Sequence, residues 1–261
     1  MSKRELLGGR RTLRFEGFEL EIPRDMSWAY STGTYYERNV DHWFSRALRL
    51  VEGPIVYDVG ANCGFYTLRA AAAGARVIAV EPTPSTFAAL ERNITRNGFG
   101  DVIALQVALG DRVGTTVLTL FSSSGNNTAV ARRPESVAHL QVQGTVEVEA
   151  TTIDDLTNTR GLPPPDILKI DTEGNDFAVL RGGLETLRKA RPVIFTEYAE
   201  ESRDAGYSLD DLRDLLVWLD YRLCLLADPF GARAVDLTLH PIPETSDAFG
   251  TIVAFPSDVE L

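Results

Sequence analysis

Cysteine is nearly absent from this chain. Cys63 and Cys224 are the only two in 261 residues, too few and too far apart for a disulfide framework or a cysteine-rich zinc site. Both sit in apolar surroundings, where a free thiol behaves as a small inert hydrophobe. The three histidines, His42, His139 and His240, stand apart, and the last two suggest no role. No stretch approaches the apolar length of a membrane span, and the first eleven residues carry charges but no apolar core of a signal peptide. Cytoplasmic residence without a membrane partner is therefore expected. Basic residues are outnumbered, 26 Lys and Arg against 37 Asp and Glu, for a net charge of -11. That leaves no broad basic surface, so nucleic acid is not an expected partner, although Arg10, Arg11 and Arg14 form a local basic cluster. Internal repeats and low-complexity segments are missing too. So is the Gly-x-Gly-x-x-Gly turn that holds a dinucleotide pyrophosphate.

What is present is a strand, a glycine turn and a second acidic strand tip. Val56-Tyr57-Asp58-Val59 reads as a buried strand leading into Gly60-Ala61-Asn62-Cys63-Gly64 and a helix, and Val77-Ile78-Ala79-Val80 ends on Glu81. Such a βαβ unit binds a nucleoside: the glycines admit close approach to the backbone, and a carboxylate at the second strand tip accepts both ribose hydroxyls. Asp58, two residues before Gly60, would repel a pyrophosphate but suits a cation. S-adenosylmethionine carries a sulfonium and an ammonium, so Asp58 is expected to face its amino acid part, directly or through water, with the backbone from Gly60 to Gly64 lining the same end.

Further motifs follow in order: Glu91-Arg92-Asn93 with Asn97-Gly98, Ala108-Leu109-Gly110-Asp111, and Leu168-Lys169-Ile170-Asp171-Thr172-Glu173-Gly174. Together with the βαβ unit, over roughly residues 35–198, they resemble the FkbM family of S-adenosylmethionine-dependent methyltransferases. Cys63 departs from the aliphatic residue more usual there. The resemblance implies a class I methyltransferase fold, a Rossmann-like doubly wound α/β sheet, mostly parallel with an antiparallel C-terminal strand. It also implies methyl transfer to a hydroxyl of a small molecule, a natural product or a sugar, without naming it. In that family the strand tip at Ala108 borders adenine, which makes Asp111 a candidate partner of the exocyclic amine; a plain turn residue is the alternative.

With 44% hydrophobic residues the chain can bury one large core. One catalytic domain over 35–261 is expected, preceded by a hairpin extension over 1–34, with Thr12 to Glu16 and Phe18 to Ile22 as its strands. Apolar residues recur at helical spacing from Tyr35 to Val51, and the polar residues of that stretch, Tyr35, Tyr36, Glu37, Asn39 and His42, face either ligands or solvent. A helix over Thr86 to Asn97, a strand over Val102 to Val107 and a hairpin strand over Thr115 to Phe121 come next. The polar loop from Ser122 to Thr128 is a cover over the site or a simple hairpin end. A strand from Val146 to Thr152 and a short helical turn from Ile153 follow. Beyond the strand 166–170 the pattern predicts a helix over Asn175 to Leu187, a strand ending at Glu197 and Tyr198, a helix 209–219, and strands 221–226 and 251–255.

Carboxylates at the C-terminal edge of a central parallel strand lie where doubly wound sheets bind ligands. Asp171 and Glu173 are therefore the catalytic candidates, Asp171 also bordering the cofactor, with Glu197 and His42 as weaker neighbours. One of them takes the proton of the acceptor hydroxyl; the alternative for Glu173 is a helix cap. Strand-tip carboxylates do not by themselves distinguish a base from a ligand of magnesium, and the metal-free form is favoured. A non-catalytic cofactor-binding module and a dehydrogenase are the remaining readings, the last opposed by the charge at Asp58.

Overall fold

The computed structural model describes residues 11–23, 37–226, 238–242 and 249–259. Arg10, Tyr35 and Tyr36 lie outside the described residues, as does the expected domain boundary at 34/35.

An eight-stranded sheet forms the centre. Its parallel part comprises β3 (Ile55–Val59), β4 (Arg76–Val80), β5 (Val102–Leu105), β9 (Ile167–Ile170) and β10 (Val193–Tyr198). The chain winds outward from β3 through β4 to β5, then returns to the other side of β3 with β9 and β10. The reversal lies between β3 and β9, and it opens a crevice at their C-terminal ends. The last strand, β13 (Gly250–Pro256), runs antiparallel between β10 and β11 (Tyr221–Leu226), and β12 (His240–Pro241) closes that edge. This is the expected doubly wound order with its antiparallel C-terminal strand.

Strand residues alternate between two apolar layers, as a sheet covered on both faces requires. Val56, Val77, Ala79, Ile167 and Phe195 meet α1 (Arg38–Ala47), α2 (Phe65–Ala72) and α3 (Pro84–Asn97). Tyr57, Val59, Ile78, Leu168 and Ile170 meet α4 (Asp176–Arg181), α5 (Leu184–Ala190) and α7 (Leu209–Trp218). The N-terminal hairpin, β1 (Arg11–Phe15) and β2 (Phe18–Ile22), buries Phe18, Leu20 and Ile22 in the first of these layers. No described helix is long and apolar enough to cross a membrane.

Three sequence expectations shift. The helix predicted over Asn175 to Leu187 is two helices, α4 and α5, parted at Gly182–Gly183, because a Cβ on Gly182 would lie 1.9 Å from the Gly110 carbonyl oxygen. Asp154, from another segment, caps the restart by accepting from the Glu185 and Thr186 amides at 3.1 and 2.8 Å. The third core strand ends at Leu105, and β6 (Ala108–Leu109) joins β8 (Val142–Thr151) and β7 (Gly114–Phe121) in a separate three-stranded sheet. The first helix is shorter than its periodicity suggested, running only over α1.

Candidate active site

The glycine turn is held from several sides. The amides of Gly60 and Ala61 both donate to the Val80 carbonyl at 2.9 Å, which ties the end of β3 to that of β4. Gly60 has φ +78°, and a Cβ there would sit 1.8 Å from the Asp171 carbonyl oxygen. Its missing side chain therefore lets the ends of β3 and β9 touch, beyond any need of a ligand. Gly64, at φ +98°, starts α2, and its would-be Cβ meets Leu90 at 2.7 Å. Neither Gly64 nor Ala61 lines the cavity described below; Gly60 and Asn62 do.

Glu81 lies where the βαβ reading put it, at the tip of β4 and 6% exposed. Its two oxygens accept from the Asn62 amide at 3.0 Å and the Thr83 amide at 2.9 Å. Burial pushes its carboxyl up to about 7 against those backbone donors, with Asp58 adding a like charge.

Asp58 makes no direct approach to the cavity. It is 1% exposed and is not part of the cavity wall. The pleat sends it to the α2 side of β3, where the Thr67 hydroxyl donates to it at 2.6 Å and its register partner on β9 is Lys169. Lys169 bonds Asp171 at 3.0 Å and lies over the Tyr66 ring at 4.6 Å, while the Tyr66 hydroxyl donates to Glu37 at 2.8 Å. Burial opposes charge on this lysine, but Asp171, Glu37 and Asp58 outweigh it and hold it protonated. Asp58 thus supports a buried ion network one layer behind the site, and Asp171 and Glu37 present charge to the cavity.

Beyond β9 the chain makes a sharp turn in which Glu173 takes φ +53° and Gly174 φ +100°. A non-glycine residue held left-handed is a strained position of the kind that gathers at functional sites. Glu173 does not cap the following helix: Asn175 occupies the cap position and sends its amide to the Leu109 carbonyl at 2.8 Å. The Glu173 side chain lines the cavity, and its proton affinity is raised well above that of an ordinary carboxylate by burial, then by Asp171 and Glu201, with Arg132 opposing. Glu197, exposed at the tip of β10, sits among Asp171, Glu173 and Asp176, whose like charges raise its proton affinity. Asp176, unassigned from sequence, fixes the geometry: 1% exposed, it accepts from the amides of Thr172 and Glu197 at 3.0 Å and from the hydroxyls of Thr172 and Thr196.

The Ser122 to Thr128 loop covers this floor. Residues from Ser123 to Ala129 face the cavity, and the Thr128 hydroxyl donates to the Glu173 carbonyl at 2.8 Å. Arg132 and Ser136 fasten the segment to Asp204 at the end of α6 (Glu200–Asp204). Ala108 and Leu109 line the wall, but Asp111 does not; it is exposed and turned toward Arg181 at 3.7 Å, so the turn-residue alternative describes it. His42 is likewise off the cavity, its ring against Trp43.

The enclosed volume is about 320 Å³, within the range of small-molecule sites. Glu37, Glu81, Asp171, Glu173, Glu197 and Glu201 line it, and no lysine, arginine or histidine does among the described residues. That electrostatic character fits a ligand bearing positive charge and opposes a pyrophosphate. Among the described residues no group of three or more His, Cys, Asp or Glu is arranged to hold a metal ion.

A doubly wound sheet with a glycine turn after its first core strand and an acidic cavity at its reversal point defines an α/β fold of the Rossmann-like class with its ligand crevice in place. The chain belongs to the FkbM methyltransferase family: the profile of the Methyltransferase FkbM domain matches residues 58–223. S-adenosylmethionine is the cofactor of this family. Methyltransferase sdnD of Sordaria araneosa is 32% identical over 174 residues, 57% of this chain and 67% of that protein. Hexuronic acid methyltransferase AglP of Haloferax volcanii is 29% identical over 153 residues, 57% of each chain. The 2-O-methyltransferase NoeI of Sinorhizobium fredii is 30% identical over 172 residues, 59% of this chain and 66% of that protein. Matches thus span between 57% and 67% of these relatives' lengths. Among solved structures, Methyltransferase FkbM from Methylobacillus flagellatus KT shows 17% identity and a TM-score of 0.49, over 90% of this chain and 48% of that one.

Proposed function

We propose that this chain is an O-methyltransferase that moves the methyl group of S-adenosylmethionine to a hydroxyl of a small molecule or sugar, without a metal ion. The observation that carries the reading is the division of one cavity. Glu81 stands at the tip of β4, ready to accept the ribose hydroxyls, with Gly60, Asn62 and Ala108 around it; Asp171, Glu173 and Glu197 gather at the tips of β9 and β10. The names of two relatives, a 2-O-methyltransferase and a 31-O-demethyl-FK506 methyltransferase, support a hydroxyl acceptor, and that of a hexuronic acid methyltransferase supports a sugar-derived one. Neither Cys63 nor Cys224 is joined in a disulfide, which fits a reducing cytoplasm.

The bound sulfonium supplies an electrophilic methyl carbon. Asp171, held by Lys169, faces that positive charge. Glu173 accepts the proton of the acceptor hydroxyl as the new oxygen–carbon bond forms and the carbon–sulfur bond breaks; the thioether leaves neutral and the proton passes to solvent. A carboxylate whose proton affinity is raised by burial and like charges is, when ionised, a stronger base than an ordinary one. Alignment of oxygen, carbon and sulfur by the turn and the roof loop supplies most of the rate.

Incubation with methyl-labelled S-adenosylmethionine and a panel of hydroxylated natural products and sugars tests this. Label should appear on an acceptor with equimolar S-adenosylhomocysteine, in the presence of a chelator. Calorimetry showing no heat with either the cofactor or its product overturns the reading.

A further inference from the structure

We infer that Asn93 is a positioning residue that couples the N-terminal hairpin to the cofactor turn, so that hairpin seating and cofactor binding strengthen each other. The inference rests on the cofactor reading above and adds a part of the chain that touches no ligand. Asn93 is 0% exposed, and three of the four hydrogen-bonding capacities of its side chain, both donors among them, are used. Its Oδ1 accepts from the Glu21 amide at 2.8 Å, and its Nδ2 donates to the Glu21 carbonyl at 2.9 Å and to the Cys63 carbonyl at 2.7 Å. One side chain thus bridges β2 and the loop that carries Asn62.

One turn along α3, Asn97 repeats half of this pattern. It accepts from the Glu19 amide at 2.7 Å and donates to the Glu19 carbonyl at 2.8 Å. Four residues of helix advance about 6 Å and two residues of strand about 6.8 Å. Asparagines four apart on α3 therefore meet alternate residues of β2, and their amides stand in for a neighbouring strand along its free edge. Asn97 grips the hairpin alone, its remaining donor bond going to the Asn93 carbonyl at 2.7 Å. Asn93 grips the hairpin and the turn together.

Other contacts run the same way. The rings of Phe15 and Phe18 lie 5.1 and 5.8 Å from that of Phe65, the first residue of α2 after the turn. The Glu21 carboxylate meets Arg96 at 2.9 Å and Arg92 at 3.4 Å. The turn is thereby held at its Cys63 and Phe65 end by an element far from it in sequence, and a ligand that orders the turn should also order β2, since coupling between two sites is reciprocal.

Amide hydrogen exchange on the unaltered protein, with and without saturating S-adenosylmethionine, reads the coupling directly. Exchange at the Glu19 and Glu21 amides should slow together with that of residues 61–64. In parallel, Asn93→Ala and Asn97→Ala are compared by thermal melting and by calorimetry. Both lose stability; Asn93→Ala should weaken cofactor binding by about tenfold or more, and Asn97→Ala, which loosens the hairpin alone, by a smaller factor of about two to four. Hairpin amides indifferent to bound cofactor, or equal affinities in the two variants, overturn the inference while leaving the function reading intact. Should Asn93→Ala fail to fold, the exchange experiment decides alone. No cofactor heat from the unaltered protein overturns both.

Discussion

Replacing Glu81 by glutamine keeps its shape and one acceptor oxygen, and turns the other into a donor. In the structure both oxygens are occupied, by the Asn62 amide at 3.0 Å and the Thr83 amide at 2.9 Å. One of these buried amides must lose its partner in Glu81→Gln, which costs about 1 to 3 kcal/mol of stability. On the cofactor side the variant loses a charge-assisted bond from a ribose hydroxyl, about 1.5 to 3 kcal/mol, or about tenfold to a hundredfold in Kd. The pH dependence sharpens the test. Because the folded-state carboxyl lies at about 7, above its ordinary value of 4.5, the ionised acceptor forms only as pH rises through that range. The affinity gap between wild type and variant should therefore be wide at about pH 8 and narrow at about pH 6, as wild type becomes protonated. Stability without ligand runs the other way. A carboxyl with a raised folded pKa contributes fully below its unfolded value and loses that contribution as pH rises through about 7, so the variant's melting temperature should fall less steeply over that interval. Titration calorimetry and melts at both pH values measure these quantities. An affinity gap of the same size at both pH values would refute the ribose role of the ionised carboxylate.

Glu173→Gln should lower turnover by about a hundredfold or more with cofactor affinity within a few fold, and Asp171→Asn should also cut turnover; near-normal rates in both would leave positioning as the source of rate. In wild type the acidic limb of the kcat/KM profile should lie above the ordinary carboxylate range, because burial and neighbouring carboxylates raise Glu173; a limb near 4.5 would remove Glu173 as base. Gly60→Ala forces a Cβ to 1.8 Å from a backbone oxygen and should destabilise the fold by more than about 3 kcal/mol, exceeding Gly64→Ala, where the flexible end of Leu90 can give, and Gly74→Ala, which meets nothing within 4 Å. Equal melting temperatures for the three would show that the β3 and β9 ends are not in that contact. Activity should survive dialysis against a chelator, and its recovery only with magnesium would reassign the carboxylates as ligands.

The βαβ unit and the strand-tip positions of Glu81 and Asp171, with Glu173 just beyond, were legible in the residues themselves, while the doubly wound order came only through the family resemblance. The unit and the strand tips are local: buried runs bounded by glycine, and acids at strand ends, persist whatever the rest of the chain does. Tertiary structure decided which way the acids point. Asp58 and Glu81 both follow apolar runs, yet pairing of Asp58 with Lys169 across two strands and the Thr67 hydroxyl turned Asp58 away from the cavity. A strand residue's face depends on register, and register between β3 and β9 is set by segments more than a hundred residues apart. Asp111 looked like a ligand residue by position but belongs to a turn facing Arg181, a partner brought near only by the fold. Glu201 and Asp176 entered the site for the same reason, with no local signal to mark them, whereas the polar loop from Ser122 to Thr128 was legible as a cover or a hairpin end and folding set it over the cavity. Asn93 stood in a visible motif, but its function as a bridge became legible only when β2 and the glycine turn met on either side of it, because a hydrogen-bonding side chain reveals its role only through partners that folding supplies.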